Sequence, residues 1–150
     1  MSWIPHNGKP SHCTLSNSGA SPRDFRFAVK ITYDESVISF ETLLEIFFLS
    51  HDPTTPNRQG NDIGTQYRSA VFCQNEAQRT ASVNMIAELN QKNIWPNPIV
   101  TEVNAAEVFY PAENYHQYYF DKNPHQPYCM AVAAPKAAKV RAKYAGLIKD

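Results

Sequence analysis

Long apolar runs, an excess of either charge and a paired set of cysteines are all missing from this 150-residue chain. No apolar run approaches the roughly 20 residues needed to cross a bilayer. Residues 1–26 carry no hydrophobic signal core. The expectation is a cytoplasmic protein with no membrane partner. Lys plus Arg number 14, and so do Asp plus Glu, so no overall field draws the chain to nucleic acid or an anionic surface. One local basic cluster, Lys136, Lys139, Arg141 and Lys143, reads as the solvated face of a helix. Three cysteines, Cys13, Cys73 and Cys129, leave one unpaired, and their wide spacing argues against a secreted disulfide framework. The spacing also misses the familiar zinc patterns, and no histidine pair completes one. What remains is an ordinary globular composition, 43% apolar and 19% charged. The length suits one domain with one core, and a monomer is expected.

The pattern changes near Phe27. Residues 1–26 mix Pro, Ser, Asn, Gly and His with few spaced apolar residues, which predicts a mobile tail without helix or strand. Residues 27–150 form the expected domain. Phe27 to Tyr33 alternates β-branched and aromatic residues as a half-buried strand does. Ser39 is a fit N-cap for a helix whose Phe40, Leu43, Leu44, Phe47 and Phe48 share one face. His51 to Gln66 reads as a loop, Tyr67 to Cys73 as a strand, and Asn75 as the cap of a helix reaching about Lys92. Pro96 and Pro98 break the chain before a strand with Ile99, Thr101 and Val103 on one face. Phe109 to Asp121 is aromatic-rich with a short helix near Ala112, and the last helix starts at Pro135. This order of elements predicts an α+β sheet-and-helix sandwich.

A sixteen-residue loop inside a small domain tends to be functional. This one delivers Asp62 and Tyr67 together, with Gly60 and Gly64 allowing tight turns beside them. A second polar and aromatic segment, with Tyr110, Glu113, Tyr115, His116, Gln117, Tyr118 and Tyr119, is placed to face it. The residue types alone describe a polar pocket with aromatic walls. Asp62 is equally well a turn-former, and His116 reads more readily as a hydrogen-bonded structural histidine than as a catalytic base. Cys73 reads as a buried thiol at a strand end, Cys129 as a thiol exposed between irregular chain and a helix.

Two long segments carry a resemblance. HDPTTPNRQGNDIGTQYRSAVF (His51 to Phe72) is similar to the central signature of A-type peptide methionine sulfoxide reductases. FYPAENYHQYYFDKNPHQPYC (Phe109 to Cys129) is similar to that family's C-terminal signature. The resemblance runs from about Phe27 to Tyr144. It implies a ferredoxin-like mixed sheet with packed helices and a reaction needing no bound cofactor. In that reaction a cysteine attacks the sulfoxide sulfur of oxidised methionine in peptides or proteins. A second thiol then forms a disulfide, which thioredoxin or another thiol reduces. Carried over by position, Asp62 matches the family's pocket aspartate, Tyr67 its hydroxyl donor and Cys129 a resolving cysteine. Tyr115 and His116 fall among the substrate-binding positions. The family's Gly-Cys-Phe-Trp nucleophile segment has no counterpart here, and Phe27 stands where its acidic glutamate does. The resemblance therefore implies a chain lacking the family's first core strand and helix, as a truncated or spliced version would. Its activity is expected to be impaired or lost, or reduced to binding sulfoxide peptides.

Overall fold

Ser39 opens the first helix as its position predicts. Its hydroxyl accepts the Thr42 amide at 3.1 Å, and Glu41 lies in the first turn, where the helix dipole favours an anion. The computed structural model describes residues 12–17, 25–106, 108–115 and 117–147, with 12–17 and 25–27 as backbone. In chain order come β1 (His12–Asn17), β2 (Phe25–Lys30), α1 (Phe40–Ser50), β3 (Arg58–Gln59), β4 (Asp62–Ile63) and β5 (Ala70–Cys73). Then follow α2 (Glu76–Gln91), β6 (Glu102–Ala105), β7 (Tyr110–Pro111), α3 (Tyr119–Lys122) and α4 (Ala134–Lys143). The architecture is a mixed α+β one, as expected.

The core lies between helices. Leu44 and Phe48 on α1 meet Ile99, with Met85, Ile86 and Leu89 of α2 packed against them. Phe48 is 1% exposed, and burying a side chain of that kind contributes about 1.5–3 kcal/mol. Asn75 caps α2 by accepting the Gln78 amide at 2.9 Å. Strands β5 and β6 are parallel, Ala70 opposite Glu102 and Cys73 opposite Ala105, with α2 as the crossover that parallel pairing requires. Helix α4 packs on α1 from the other end of the chain. The Tyr144 hydroxyl just beyond it donates to Glu45 Oε2 at 2.6 Å.

Several expectations are corrected. Residues 12–17 form β1, antiparallel to β2 from His12–Lys30 to Asn17–Phe25 and also paired with β7 at Thr14 and Leu15. The composition of this stretch hides the strand, because its partners lie elsewhere in the chain. The tail expected over 1–11 and 18–24 lies outside the described residues. Tyr67 is not in a strand but ends a 3-10 turn, Thr65–Tyr67, ahead of β5. Ala112 is buried but not helical; the short helix comes later, at α3. Nor does Pro135 begin the last helix. The chain is already helical at Pro127, and a π-turn, Cys129–Ala133, leads directly into α4. There the Ala134 amide reaches back to the Cys129 carbonyl. That wider turn accommodates the Pro135 ring, which has no N–H to give and would crowd the carbonyl four residues earlier in a regular turn.

Candidate active site

The loop after α1 is built rather than irregular. Pro53 is fully buried, and its carbonyl accepts the Val100 amide at 2.9 Å. Asp52 folds the first bend by accepting the Thr54 amide and hydroxyl at 2.9 and 2.7 Å. That same pair of bonds lowers the Asp52 pKa. The Gln59 side chain bonds the Asp52 backbone twice, at 3.2 Å each. Strands β3 and β4 make a small hairpin, Gln59 opposite Asp62, whose turn needs the left-handed Gly60 (φ 60°). The Gly64 amide closes it by donating to Asn57 at 2.8 Å. Two-residue strands have no periodicity to read, which is why this segment looked structureless in sequence.

The hairpin holds Asp62 half-buried, and the turn that follows holds Tyr67 half-buried. Arg68 secures the end of that turn. Its guanidinium donates to the Thr65 carbonyl at 2.9 Å and pairs with Glu102 of β6 at 3.3 Å. Tyr128, which sequence reasoning did not single out, is what joins the site. Its pKa is raised, first by burial and then by Asp62, Tyr67 and Cys129, so all three lie within electrostatic reach of its phenol. The ring is still 58% exposed, so a ligand can reach it. The signal available in sequence was its place beside Cys129.

The other expected site residues fall differently. Cys129 is 1% exposed, not exposed as its position suggested, because the π-turn carries it to the interior. Cys73 is buried as expected, its sulfur 3.8 Å from the Ser82 hydroxyl. Tyr115 is 65% exposed in the turn before α3, and His116 lies outside the described residues. No group of three His, Cys, Asp or Glu side chains among the described residues could hold a metal ion. No described helix is long and apolar enough to cross a membrane.

His51 was also missed, though it begins the loop. The Phe47 carbonyl 2.7 Å from Nδ1 can only accept, so Nδ1 carries the proton. Nε2 then accepts from Ser69 Oγ at 2.7 Å, and Ser69 Oγ accepts from Thr101 Oγ1 at 2.7 Å. Burial is the main cause lowering the His51 pKa. A histidine one turn past an apolar helix face was the available signal, since such residues bond the last carbonyls.

Chemically, the candidate set is two phenols, Tyr67 and Tyr128, and the Asp62 carboxylate, linked through their charge effect on Tyr128. The phenols can donate to a strongly polar acceptor oxygen, and the carboxylate can take an N–H. Comparison with known proteins gives this set a context. A family model described as peptide methionine sulfoxide reductase matches residues 6–147, beginning upstream of Phe27. The peptide methionine sulfoxide reductase MsrA of Polynucleobacter asymbioticus is 51% identical over 120 residues, covering 80% of this chain and 63% of that protein. The chain thus spans less than two-thirds of that relative's length. The Acinetobacter baumannii (strain SDF) protein of the same name is 43% identical over 143 residues, covering 95% of this chain and 80% of that one. The crystal structure of reduced Mxr1 from Saccharomyces cerevisiae superposes with a TM-score of 0.71 at 34% identity, covering 80% of this chain and 74% of that one.

Proposed function

This chain belongs to the peptide methionine sulfoxide reductase family, and from that premise we propose that it recognises methionine sulfoxide in oxidised peptides and that these 150 residues by themselves do not efficiently reduce it. The observation that carries the reading is that the β3/β4 hairpin and the turn after it hold Asp62 and Tyr67 close together in the chain, with the exposed Tyr128 phenol within their electrostatic reach. In this reading the phenols of Tyr67 and Tyr128 donate to the sulfoxide oxygen, and Asp62 accepts a peptide N–H. Tyr115 and His116 enter this reading only by their positions in the family's C-terminal signature.

Reduction needs more. A sulfoxide and two thiols become a thioether, a disulfide and water, and the first bond forms when an accessible thiolate attacks sulfur. The two cysteines with described side chains, Cys73 and Cys129, are 5% and 1% exposed. No Gly-Cys-Phe-Trp segment occurs in the sequence, and Phe27 has no proton to give. A second reading is favoured by the place of Cys129 itself. If the π-turn opens, this thiol emerges beside the phenols, and thioredoxin or another thiol would supply electrons in the cytoplasm.

Incubation with dithiothreitol and both epimers of a methionine sulfoxide peptide separates the two readings. Unchanged epimers, together with calorimetric binding of the sulfoxide but not of its thioether counterpart, are expected. Loss of the S epimer, abolished by Cys129→Ser, would establish the second reading. Equal or absent binding of the two peptides would end the first.

A further inference from the structure

The long loop that carries Asp62 and Tyr67 begins at His51 and ends at Ser69, and these two residues touch. We propose that the His51 to Ser69 hydrogen bond is a latch that positions the loop for ligand, making His51 a positioning residue of the site. The proposal rests on the reading of Asp62 and Tyr67 as site residues.

Three observations support it. First, the bond closes eighteen residues of chain with one 2.7 Å contact, and the Thr101 hydroxyl extends it by another 2.7 Å. Ser69 and Thr101 are 8% and 9% exposed, so water cannot readily substitute for either partner. Second, the latch gathers the C-terminal end of α1, the entry to β5 and the entry to β6. Further bonds flank it, from the Val100 amide to Pro53 at 2.9 Å and from the Glu102 amide to Ser69 at 3.0 Å. Third, Tyr67 stands two residues before Ser69, within a turn whose amide bond to Gly64 is 3.0 Å. A shift at Ser69 therefore reaches Tyr67 through almost no intervening chain. The imidazole is itself held by the Phe47 ring, 4.4 Å between centroids, with Lys136 and Asp52 as its charged neighbours.

Each ring nitrogen has a different partner, so two conservative variants separate a latch from a helix cap. His51→Gln places a polar atom near the Nε2 position and can keep Ser69. His51→Asn places one near Nδ1 and can keep only the Phe47 carbonyl. Hydrogen exchange of the Gly64 and Tyr67 amides is the readout, with α2 amides as the internal control. His51→Asn and Ser69→Ala are expected to speed loop exchange about tenfold, the weight of one buried hydrogen bond. They are expected to weaken sulfoxide-peptide binding in parallel, leaving α2 unchanged, while His51→Gln stays near wild type. The reverse order, with His51→Asn intact and His51→Gln loosened, would reduce His51 to a helix cap and overturn the latch. So would unchanged loop exchange in all three. If Ser69→Ala fails to fold, Thr101→Val removes only the outer donor, and it must still loosen the loop measurably for the latch to stand. A wild type that binds no sulfoxide peptide ends the functional reading, while loop exchange still decides the latch.

Discussion

His51 sets a pH dependence whose sign can be worked out. Its folded pKa lies below the ordinary value of about 6.5, held down by burial and by Lys136 against the opposing Phe47 carbonyl and Asp52. Above that ordinary value both folded and unfolded chains carry a neutral ring, and the full stability is present. As pH falls, the unfolded chain takes the proton first, so stability is lost toward the folded pKa. Asp52 acts in the same direction at lower pH. Its depressed pKa contributes stability that disappears only when the carboxylate protonates, below about pH 4. Thermal unfolding of wild type between pH 7.5 and 5 should therefore show a falling midpoint, and His51→Gln should flatten that slope. A wild-type midpoint that rises on acidification would contradict the buried neutral imidazole. None of this was legible in sequence, where His51 was only the residue that opened a loop. Asp62 and Tyr67 were legible because they sit in an unusual stretch. Tyr128 was not, since only folding brings it within reach of Asp62 and Tyr67.

The helices were the readable elements. Their stripes and caps are local, so Ser39 with Phe40 to Phe48, and Asn75 with α2, could be placed from spacing alone. The strands depend on distant partners. Two-residue β3 and β4 have no period, and β1 pairs with nearby β2 on one side but with β7 far along the chain on the other. The π-turn before α4 was hidden for a different reason. A proline is compatible with the first turn of a helix, and nothing local says that the helix began earlier. Helix α1 carries the buried core side chains Leu44 and Phe48 and meets both α2 and α4. Phe48→Ala should then cost about 3–5 kcal/mol, the range for emptying a buried aromatic site. Tyr144→Phe removes only a partly exposed phenol's bond to Glu45, at about 0.5–1.5 kcal/mol. Denaturant unfolding of both variants checks the ranking. A Phe48→Ala cost no larger than that of Tyr144→Phe would mean that Phe48 does not anchor the core.

At the scale of the molecule, a small core has to support the three sheets of two or three strands found among the described residues. The β5/β6 pair is parallel and only two strands wide, an arrangement usually found inside larger covered sheets. Strand β2 is an outer strand of its sheet, and Val29 and Ile31 on and just beyond it are 41% and 37% exposed. A charged residue between them would ordinarily discourage edge-to-edge pairing. Here the Lys30 ammonium lies 5.4 Å from the centre of the Phe109 ring and is partly engaged there. The chain also has no net charge at pH 7, so nothing long-ranged keeps copies apart. Concentration-dependent association near neutral pH should follow, weakening as the pH is raised and the chain becomes anionic. Light scattering at pH 7 and pH 9 measures the charge contribution, and Val29→Lys isolates the contribution of the edge. Val29 is 41% exposed and lies outside the helical core cluster, so the effect on stability should stay within about 0.5 kcal/mol, while scattering at pH 7 falls. If Val29→Lys lowers stability but leaves scattering unchanged, association does not run through β2, and another exposed apolar position such as Ile63, 73% exposed on the site hairpin, becomes the contact to test.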